Sequence, residues 1–564
     1  RDDVVCVQWA RLDSLEERHL LTRRAGALAQ VRAFLVDPEC TLVGHNIAYD
    51  AVVWCAAGLT EEVFAAYRAG RLVCTYVYQR LGEVAGFARR GDGKLGAVCE
   101  AHGIPAPAEK GSSLAREFAQ FLDADDVSEP HRSYALDDCV VGKVFQRQYR
   151  RFGRDVPMSA LQRLSYRSFC LQLSAVWGLV VDQDAADVLE AEAKVQLEAL
   201  VPAAVEAGIL EWRACQRAGV RTLGWVKNQK LLRAMVSEAY DGKPPLTTQT
   251  TTAKRKYEQG LRDHAAGRRK KPPKAWKPQV SIAAEPHRES GDPDLELFCS
   301  YGEWSSVESN ALPMLRTGGG YLHTKYDITD TLRTSCSKPP LQNWRTGLDA
   351  KPGTVVPQIR ECVVAPPGYC ILSVDMAGLE LGSFAQNAYN QLGVRSMVDD
   401  LNTGVDLHSR LGAEASFDRL GLDYAAFRAL YKSGDPECYW WRQAGKGGNF
   451  GTQGGMANPE KFARYCKTQY KVPVTTAQAK VIIAACKRVN PAIAAWLEYV
   501  KSTVKPDETF DCSLPGFGIW RRGVWYCAAA NNPFQELGAF LCSEGTIALT
   551  EEMYLAGGAL AGIR

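Results

Sequence analysis

Arg442, Lys446, Phe450 and Gly454 recur at every fourth residue. On an α-helix that spacing drifts slowly round one face, so two cations and an aromatic ring would share a stripe. Cations one turn apart repel each other unless an anion lies between them. A polyphosphate is such an anion, and the ring one turn further could pack on whatever the phosphates carry. The spacing alone also fits a helix that exposes its cations and buries its ring. A second group is Asp375 with Glu380, in Ser373-Val374-Asp375-Met376-Ala377-Gly378-Leu379-Glu380-Leu381. The apolar run Tyr369–Val374 predicts a strand that delivers Asp375 at its carboxyl end, followed by a tight turn and a helix that begins near Glu380. A carboxylate placed there suits a hard divalent cation, although an Asp cap beside a solvated Glu would read the same way. A third group is made of two pairs spaced four apart, Asn46 with Asp50 and Tyr134 with Asp138. On helices each pair would present a carboxylate beside a second polar group, as phosphodiester hydrolysis with two metal ions requires.

The elements that must hold these groups change along the chain. Residues 1 to about 150 alternate short apolar runs (Val4–Trp9, Thr41–Val43, Leu72–Val77) with helix-like stretches such as Leu114–Leu122, the cadence of an α/β domain. From Gln162 to Leu200 the apolar spacing is helical, broken at Gly178-Leu179-Val180-Val181-Asp182. Lys254–Lys277 carries ten Lys or Arg against Glu258 and Asp263. That run reads as a solvated loop, or as a grip on phosphate backbone with Trp276 available for stacking. Helical patterns dominate from Ser383 to Val500.

A chain of 564 residues exceeds one ordinary hydrophobic core, which predicts about three or four domains or subdomains. Its formal charge of +3 is too small to argue for nucleic acid, so any basic surface must be local. The 18 cysteines are scattered with no CxxC pair, which predicts reduced, mostly buried thiols rather than a zinc or disulfide framework. No apolar run approaches the roughly 18 to 20 residues that span a membrane.

The motifs carry a resemblance. Arg442-Gln443-Ala444-Gly445-Lys446-Gly447-Gly448-Asn449-Phe450-Gly451 resembles the finger-helix motif RxxxKxxxFG of family A, DNA polymerase I-like enzymes. The Asp375–Leu381 segment resembles that family's motif A, D-x-S-x-x-E-L. Arg333-Thr334-Ser335 followed by Pro339, Leu341, Gln342 and Asn343 resembles R-x-S-S-x-x-P-N-L-Q-N. Asp406-Leu407-His408 is similar to the D-I-H entrance to the fingers, and Asn531-Asn532-Pro533-Phe534-Gln535 to the N-x-P-x-Q helix. These matches are collinear over roughly 200 residues. Gly44–Asp50 and Tyr134–Asp138 together resemble the second and third motifs of a DEDDy 3′–5′ exonuclease.

The resemblance implies an α/β and α+β multidomain fold, with an RNase H-like exonuclease domain followed by a right-hand polymerase of palm, thumb and fingers. The expected ranges are 1–155 for the exonuclease, 156–330 for palm entry and thumb, 331–405 for the palm with motif A, 406–500 for the fingers and 501–564 for the palm return. Asp375 would hold two Mg²⁺ ions, Glu380 would exclude a ribose 2′-hydroxyl, and His408, Arg442, Lys446 and Phe450 would grip a dNTP. Arg333, Gln342, Asn343, Asn531 and Gln535 would contact primer–template DNA. In the exonuclease, Asp50 and Asp138 would be metal ligands, Tyr134 would orient water and Asn46 would touch substrate. The resemblance further implies a cytoplasmic enzyme of the phage branch, with a possible processivity factor. It places motif C (H-D-E) beyond Arg564 and the first exonuclease motif before Asp2. A nucleic-acid-binding polymerase relative without synthesis therefore stays open. A single-subunit RNA polymerase would lack the exonuclease segment and Glu380.

Departures from the family pattern are Ala377, Gly382 and, above all, Gly454 where a Tyr is usual. Glycines at 445, 447, 448, 451 and 455 each cost a helix about 1 kcal/mol relative to Ala, which predicts a weak helix that orders fully on nucleotide binding.

Overall fold

An antiparallel hairpin of β1 (Cys6–Arg11) and β2 (Ser14–Thr22) opens the chain, and β3 (Leu42–Gly44) pairs in parallel with β4 (Leu72–Cys74). The computed structural model describes all residues except 1–3, 89, 108–113, 115–116, 218–219, 241–256, 259, 262–263, 266–270, 274, 277–278, 283–291, 345–357 and 556–564; for 215–217 and 220–222 it describes the backbone alone. Helices α1 (Ala27–Val36), α2 (Ile47–Trp54), α3 (Thr60–Arg68), α4 (Thr75–Val84), α5 (Leu95–Ala101), α6 (Glu129–Asp137), α7 (Val141–Phe152) and α8 (Met158–Trp177) complete this part. The apolar run Leu72–Val77 is a strand only as far as Cys74. From Thr75 the chain is helical, and the helix is buried almost all round, including the polar Gln79 and Arg80. Within the stretch Leu114–Leu122 the described Leu114 and Glu117 are helical and Phe118–Phe121 forms a 3-10 turn, while 115–116 lie outside the described residues.

The break expected near 178–182 is present. There β5 (Leu179–Val181) leads into α9 (Gln183–Glu206), whose first amides, of Asp184 and Ala185, are capped by the Asp182 carboxylate. These elements belong to one compact unit, Gly178–Thr324 with Lys338–Leu372. It also contains the hairpin β6 (Leu210–Arg217) and β7 (Val220–Lys227), with α10 (Gln229–Ala239), α11 (Pro293–Ser306) and α12 (Leu312–Arg316). Its three-stranded sheet has the order β11 (Val363–Val364), β5, β8 (Tyr321–Leu322). Trp304, Leu315 and Trp344 lie in one of its cores, and Phe298, Tyr301 and Leu232 in another. Most of the basic stretch Lys254–Lys277 lies outside the described residues.

The other unit comprises Arg1–Trp177, Lys325–Ser337 and Ser373–Arg564. Besides the amino-terminal elements it holds the pair β9 (Lys325–Ile328) and β10 (Thr334–Ser337), then α13 (Leu379–Leu392) and α14 (Ser396–Asn402). α15 (Leu407–Leu420), α16 (Tyr424–Lys432), α17 (Pro436–Gln453), α18 (Pro459–Tyr470), α19 (Thr476–Val489) and α20 (Pro491–Ser502) follow. The hairpin β12 (Phe510–Leu514) and β13 (Ile519–Val524) precedes the 29-residue α21 (Tyr526–Tyr554). Boundaries are local in origin: Asp435 caps α17 with Pro436 at its first turn, and Thr475 with Gln478 forms a capping box on α19.

The strand expected at Tyr369–Val374 is absent. Residues 369–376 are irregular, and Ile371, Leu372 and Val374 are 60, 83 and 82% exposed. Among the described residues no strand pairs with this run. Strand-forming side chains do not make a strand unless a ladder satisfies their backbone.

Among the described residues every cysteine is a free thiol and no helix is long and apolar enough to cross a membrane. One buried carboxylate links the β12–β13 turn to α21: Glu536 accepts from the amides of Gly516 (2.9 Å) and Phe517 (2.8 Å). Burial raises its pKa from 4.5 to about 7, although both amides oppose the shift. A carboxyl that binds its proton more tightly when folded supports the fold fully below about pH 4.5, and that support is lost as pH rises through 7. Stability measured by denaturant titration should therefore fall by about 3 kcal/mol over that window. Glu536→Gln should flatten the dependence, and an unchanged profile would contradict this reading.

Candidate functional site

The glycines of α17 do not weaken an exposed helix; they lie inside its packing. A β-carbon at Gly445 would come within 2.5 Å of the His408 carbonyl oxygen on α15, one at Gly447 within 2.7 Å of Cys466 on α18, and one at Gly448 within 2.6 Å of Leu411. Bare backbone is what lets α17 seat this closely on its neighbours. The helix is accordingly continuous to Gln453 and ends at Gly454, where the expected stripe also ends.

Asn449, fully buried on α17, donates to the Leu407 carbonyl (3.0 Å), lies 3.1 Å from His408 Nδ1, and accepts from Asn490 (2.8 Å). It therefore fixes the His408 ring, which stands 5.4 Å from the Phe450 ring. Burial pushes His408 down to about 4, helped by the charges of Arg442 and Lys446 and opposed by Asp406. At neutral pH it can hydrogen-bond a phosphate but adds no charge.

Arg442 and Lys446 share the predicted face yet differ in state. Arg442 Nε donates to Asp406 Oδ2 at 2.8 Å, and its guanidinium lies 4.8 Å from the Tyr431 ring centre. Arg428 also reaches Asp406 Oδ2, at 3.1 Å. Asp406 meanwhile caps α15 through the amides of His408 and Ser409. Burial opposes its charge, but the bonds from Arg442 and Ser409 outweigh burial and bring Asp406 down to about 2. Lys446 makes no ion pair among the described residues, and its ammonium lies 5.8 Å from the Tyr470 ring centre. The cation expected to need an external anion is thus Lys446, since Arg442 already has an internal one.

Next to this face is a cavity of about 300 Å³ lined by Glu380, Phe450, Gly451, Gly454, Met456, Tyr465, Tyr470, Asn531 and Gln535. Glu380 accepts from Gln453 Nε2 (3.3 Å) and pairs with Arg333 at 3.9 Å. Asn531 donates to the carbonyls of Gly454 (3.2 Å) and Cys527 (2.8 Å), tying α21 to the end of α17. Arg333 follows Leu332, a residue at φ 59° whose carbonyl is held by buried Arg167 at 2.8 Å.

The structure therefore gathers Arg333, Glu380, His408, Arg442, Lys446, Phe450, Asn531 and Gln535 in one unit. Asp375 belongs to that unit but sits on the exposed irregular segment. Gln342 and Asn343 lie exposed on a 3-10 turn of the other unit. Asn46 starts α2 in a left-handed conformation, and Asp50, in the first turn, is exposed. Tyr134 on α6 faces Phe118 at 6.0 Å, and Asp138 lies just past that helix, its charge felt by Cys99. Among the described residues no three His, Cys, Asp or Glu side chains converge to hold a metal ion. The residues present do not by themselves make up the two-ion sites that the resemblance implies. Tyr465, Tyr470, Gln453 and the role of Asp406 as counterion escaped the sequence reading, because no motif spacing marks them.

No protein-family model and no curated protein matches the chain. The POL domain of Pol1 from M. smegmatis, in complex with DNA primer-template and dNTP, aligns with a TM-score of 0.62 over 98% of this chain and 83% of that one. The chain has a polymerase-domain fold. Sequence identity across the alignment is 17%, so the shared property is the fold. Within that fold, Arg442, Lys446 and Phe450 present one helical face beside the Glu380 cavity.

Proposed function

We propose that this chain is a DNA-directed DNA polymerase of family A, acting on primer–template DNA and dNTPs. The observation that carries the reading is that Phe450 and Glu380 line one cavity, with His408 beside the Phe450 ring and Lys446 against the Tyr470 ring of the same lining, in a chain with a polymerase-domain fold. Lys446, with Arg442 behind it, meets the triphosphate and answers the charge that develops on its oxygens during transfer. His408 donates a hydrogen bond as a neutral ring. Phe450 packs against the sugar, and Glu380 occupies the space a ribose 2′-hydroxyl would need. Arg333, Gln342, Asn343, Asn531 and Gln535 are assigned to the primer–template, and Mg²⁺ at the polymerase site would meet Asp375. The ranges 1–155, 156–330, 331–405, 406–500 and 501–564 are proposed as exonuclease, palm entry with thumb, palm, fingers and palm return. A 3′–5′ exonuclease with Asn46, Asp50, Tyr134 and Asp138, a phage origin, a processivity partner and a cytoplasmic setting belong to the same reading.

The test is extension of a labelled primer on a longer template by the full-length protein, with Mg²⁺ and dNTPs. Extension should follow template order, and Asp375→Ala should lower it by at least about 10³-fold with duplex binding nearly unchanged. Duplex binding without any extension by the wild type would sink the proposal in favour of a nucleic-acid-binding relative.

A further inference from the structure

The cavity beside α17 has a wall that neither the stripe nor Glu380 supplies. Tyr465 and Tyr470, both half-buried, project from α18 into its lining. The Tyr470 ring lies parallel to Phe450, with 6.3 Å between centres and 2° between planes, and it carries Lys446 at its face. Tyr465 stands against Tyr470 edge to face, with centres 5.5 Å apart. Their hydroxyl oxygens are 3.3 Å apart. The Asn531 side chain lies against Gly454, and these two phenols are the aromatic surface of the lining besides Phe450.

Hydrogen counting makes the pair more than packing. Each phenol brings one O–H, and the contact between them uses one of the two. Burial raises both groups above the ordinary tyrosine range, so both keep their hydrogens at neutral pH. One O–H is therefore left to donate elsewhere, and both hydroxyls lie within electrostatic reach of the Glu380 carboxylate. Glu380 is in turn held by Gln453 and Arg333 on its two oxygens.

We propose that Tyr465 and Tyr470 are specificity residues of this pocket: the spare phenolic hydrogen and Glu380 together select a deoxynucleoside triphosphate over its ribonucleotide, and the Tyr470 ring extends the Phe450 surface on which the nucleoside lies. This rests on the nucleotide-site reading given above. A 2′-hydroxyl has to fit between the two phenols and the half-buried Glu380 carboxylate, which share the cavity lining, and it takes up the space that they face. A 2′-deoxy sugar disturbs neither. The hydroxyls therefore set selectivity, and the ring sets affinity.

The test measures equilibrium binding of dATP and ATP to the full-length protein with Mg²⁺ and a primer–template whose primer ends in a dideoxynucleotide, so that nothing is incorporated. Wild type, Lys446→Ala, Tyr465→Phe, Tyr470→Phe and Tyr470→Ala are compared, with thermal melts to confirm folding. Tyr465→Phe and Tyr470→Phe should each cut the preference for dATP over ATP by roughly 3- to 10-fold, with dATP affinity changed less than about twofold. Tyr470→Ala should weaken both nucleotides by about 10-fold. If wild type prefers dATP, Lys446→Ala loses it, and both Phe variants keep the wild-type ratio, the tyrosine assignment is overturned while the nucleotide site stands. If wild type binds neither nucleotide, the site reading falls and this one with it.

Discussion

Lys446→Ala should lower kcat/KM for dNTP incorporation by about 10³-fold, a loss of roughly 4 kcal/mol in transition-state stabilisation. The magnitude follows from the unequal state of the two cations on α17. Arg442 is bonded to Asp406 and shares it with Arg428, so its charge is largely answered from within the fold. His408 is held neutral by burial. Lys446, with no ion pair among the described residues and only the Tyr470 ring against it, is the cation most available to phosphate. Single-turnover incorporation on a fixed primer–template reads the effect, and Lys446→Arg should restore part of it. A loss below about 10-fold would mean that Arg442 leaves Asp406 to take the phosphate, and that Lys446 is peripheral.

Asp406→Ala should cost the fold about 4 kcal/mol. Asp406 caps the first turn of α15 and is the counterion of two half-buried arginines, so alanine removes the cap and leaves both guanidiniums facing each other around a void. Asp406→Asn retains a capping oxygen and separates the two contributions; it should recover about 1 kcal/mol. The sign with pH is opposite to that of Glu536. The Asp406 pKa falls from 3.8 in the unfolded chain to about 2, so its stabilisation is complete above about pH 4 and is lost as pH falls through 2. Denaturant titration at pH 7 and near pH 2 should show the gap between wild type and Asp406→Asn closing in acid. A constant gap would assign the cost to packing alone.

Much of this arrangement is legible in the sequence. The helical stripe, the break at 178–182 and the start of a helix just before Glu380 follow from periodicity and caps, which act within a few residues. Three features are not. Tyr465 and Tyr470 are five apart, a spacing that fits no catalytic pattern, and they matter only because α18 packs beside α17. The glycines of α17 read as a propensity defect, because their neighbours on α15 and α18 are distant in sequence. Tyr369–Val374 has strand composition, but a strand is a property of two segments, and composition describes only one. Arg442 shows the same limit in charge: its spacing from Lys446 was visible, whereas its counterion lies 36 residues away and is recognisable only in three dimensions.

The bare inner side of α17 has a consequence for movement. Side chains can slide past one another by changing rotamers, but a backbone seated at the Gly445 and Gly412 crossing has no rotamer to change. A rotation or shift of α17 must therefore carry α15 with it, together with the carboxylate that caps α15 and binds Arg442. Any closing motion at this cavity is then that of a block whose charges keep their mutual distances. The block's far end is fastened as well: Asn531 on α21 holds the Gly454 carbonyl, and Gly455, at φ +83°, turns the chain away just past the helix.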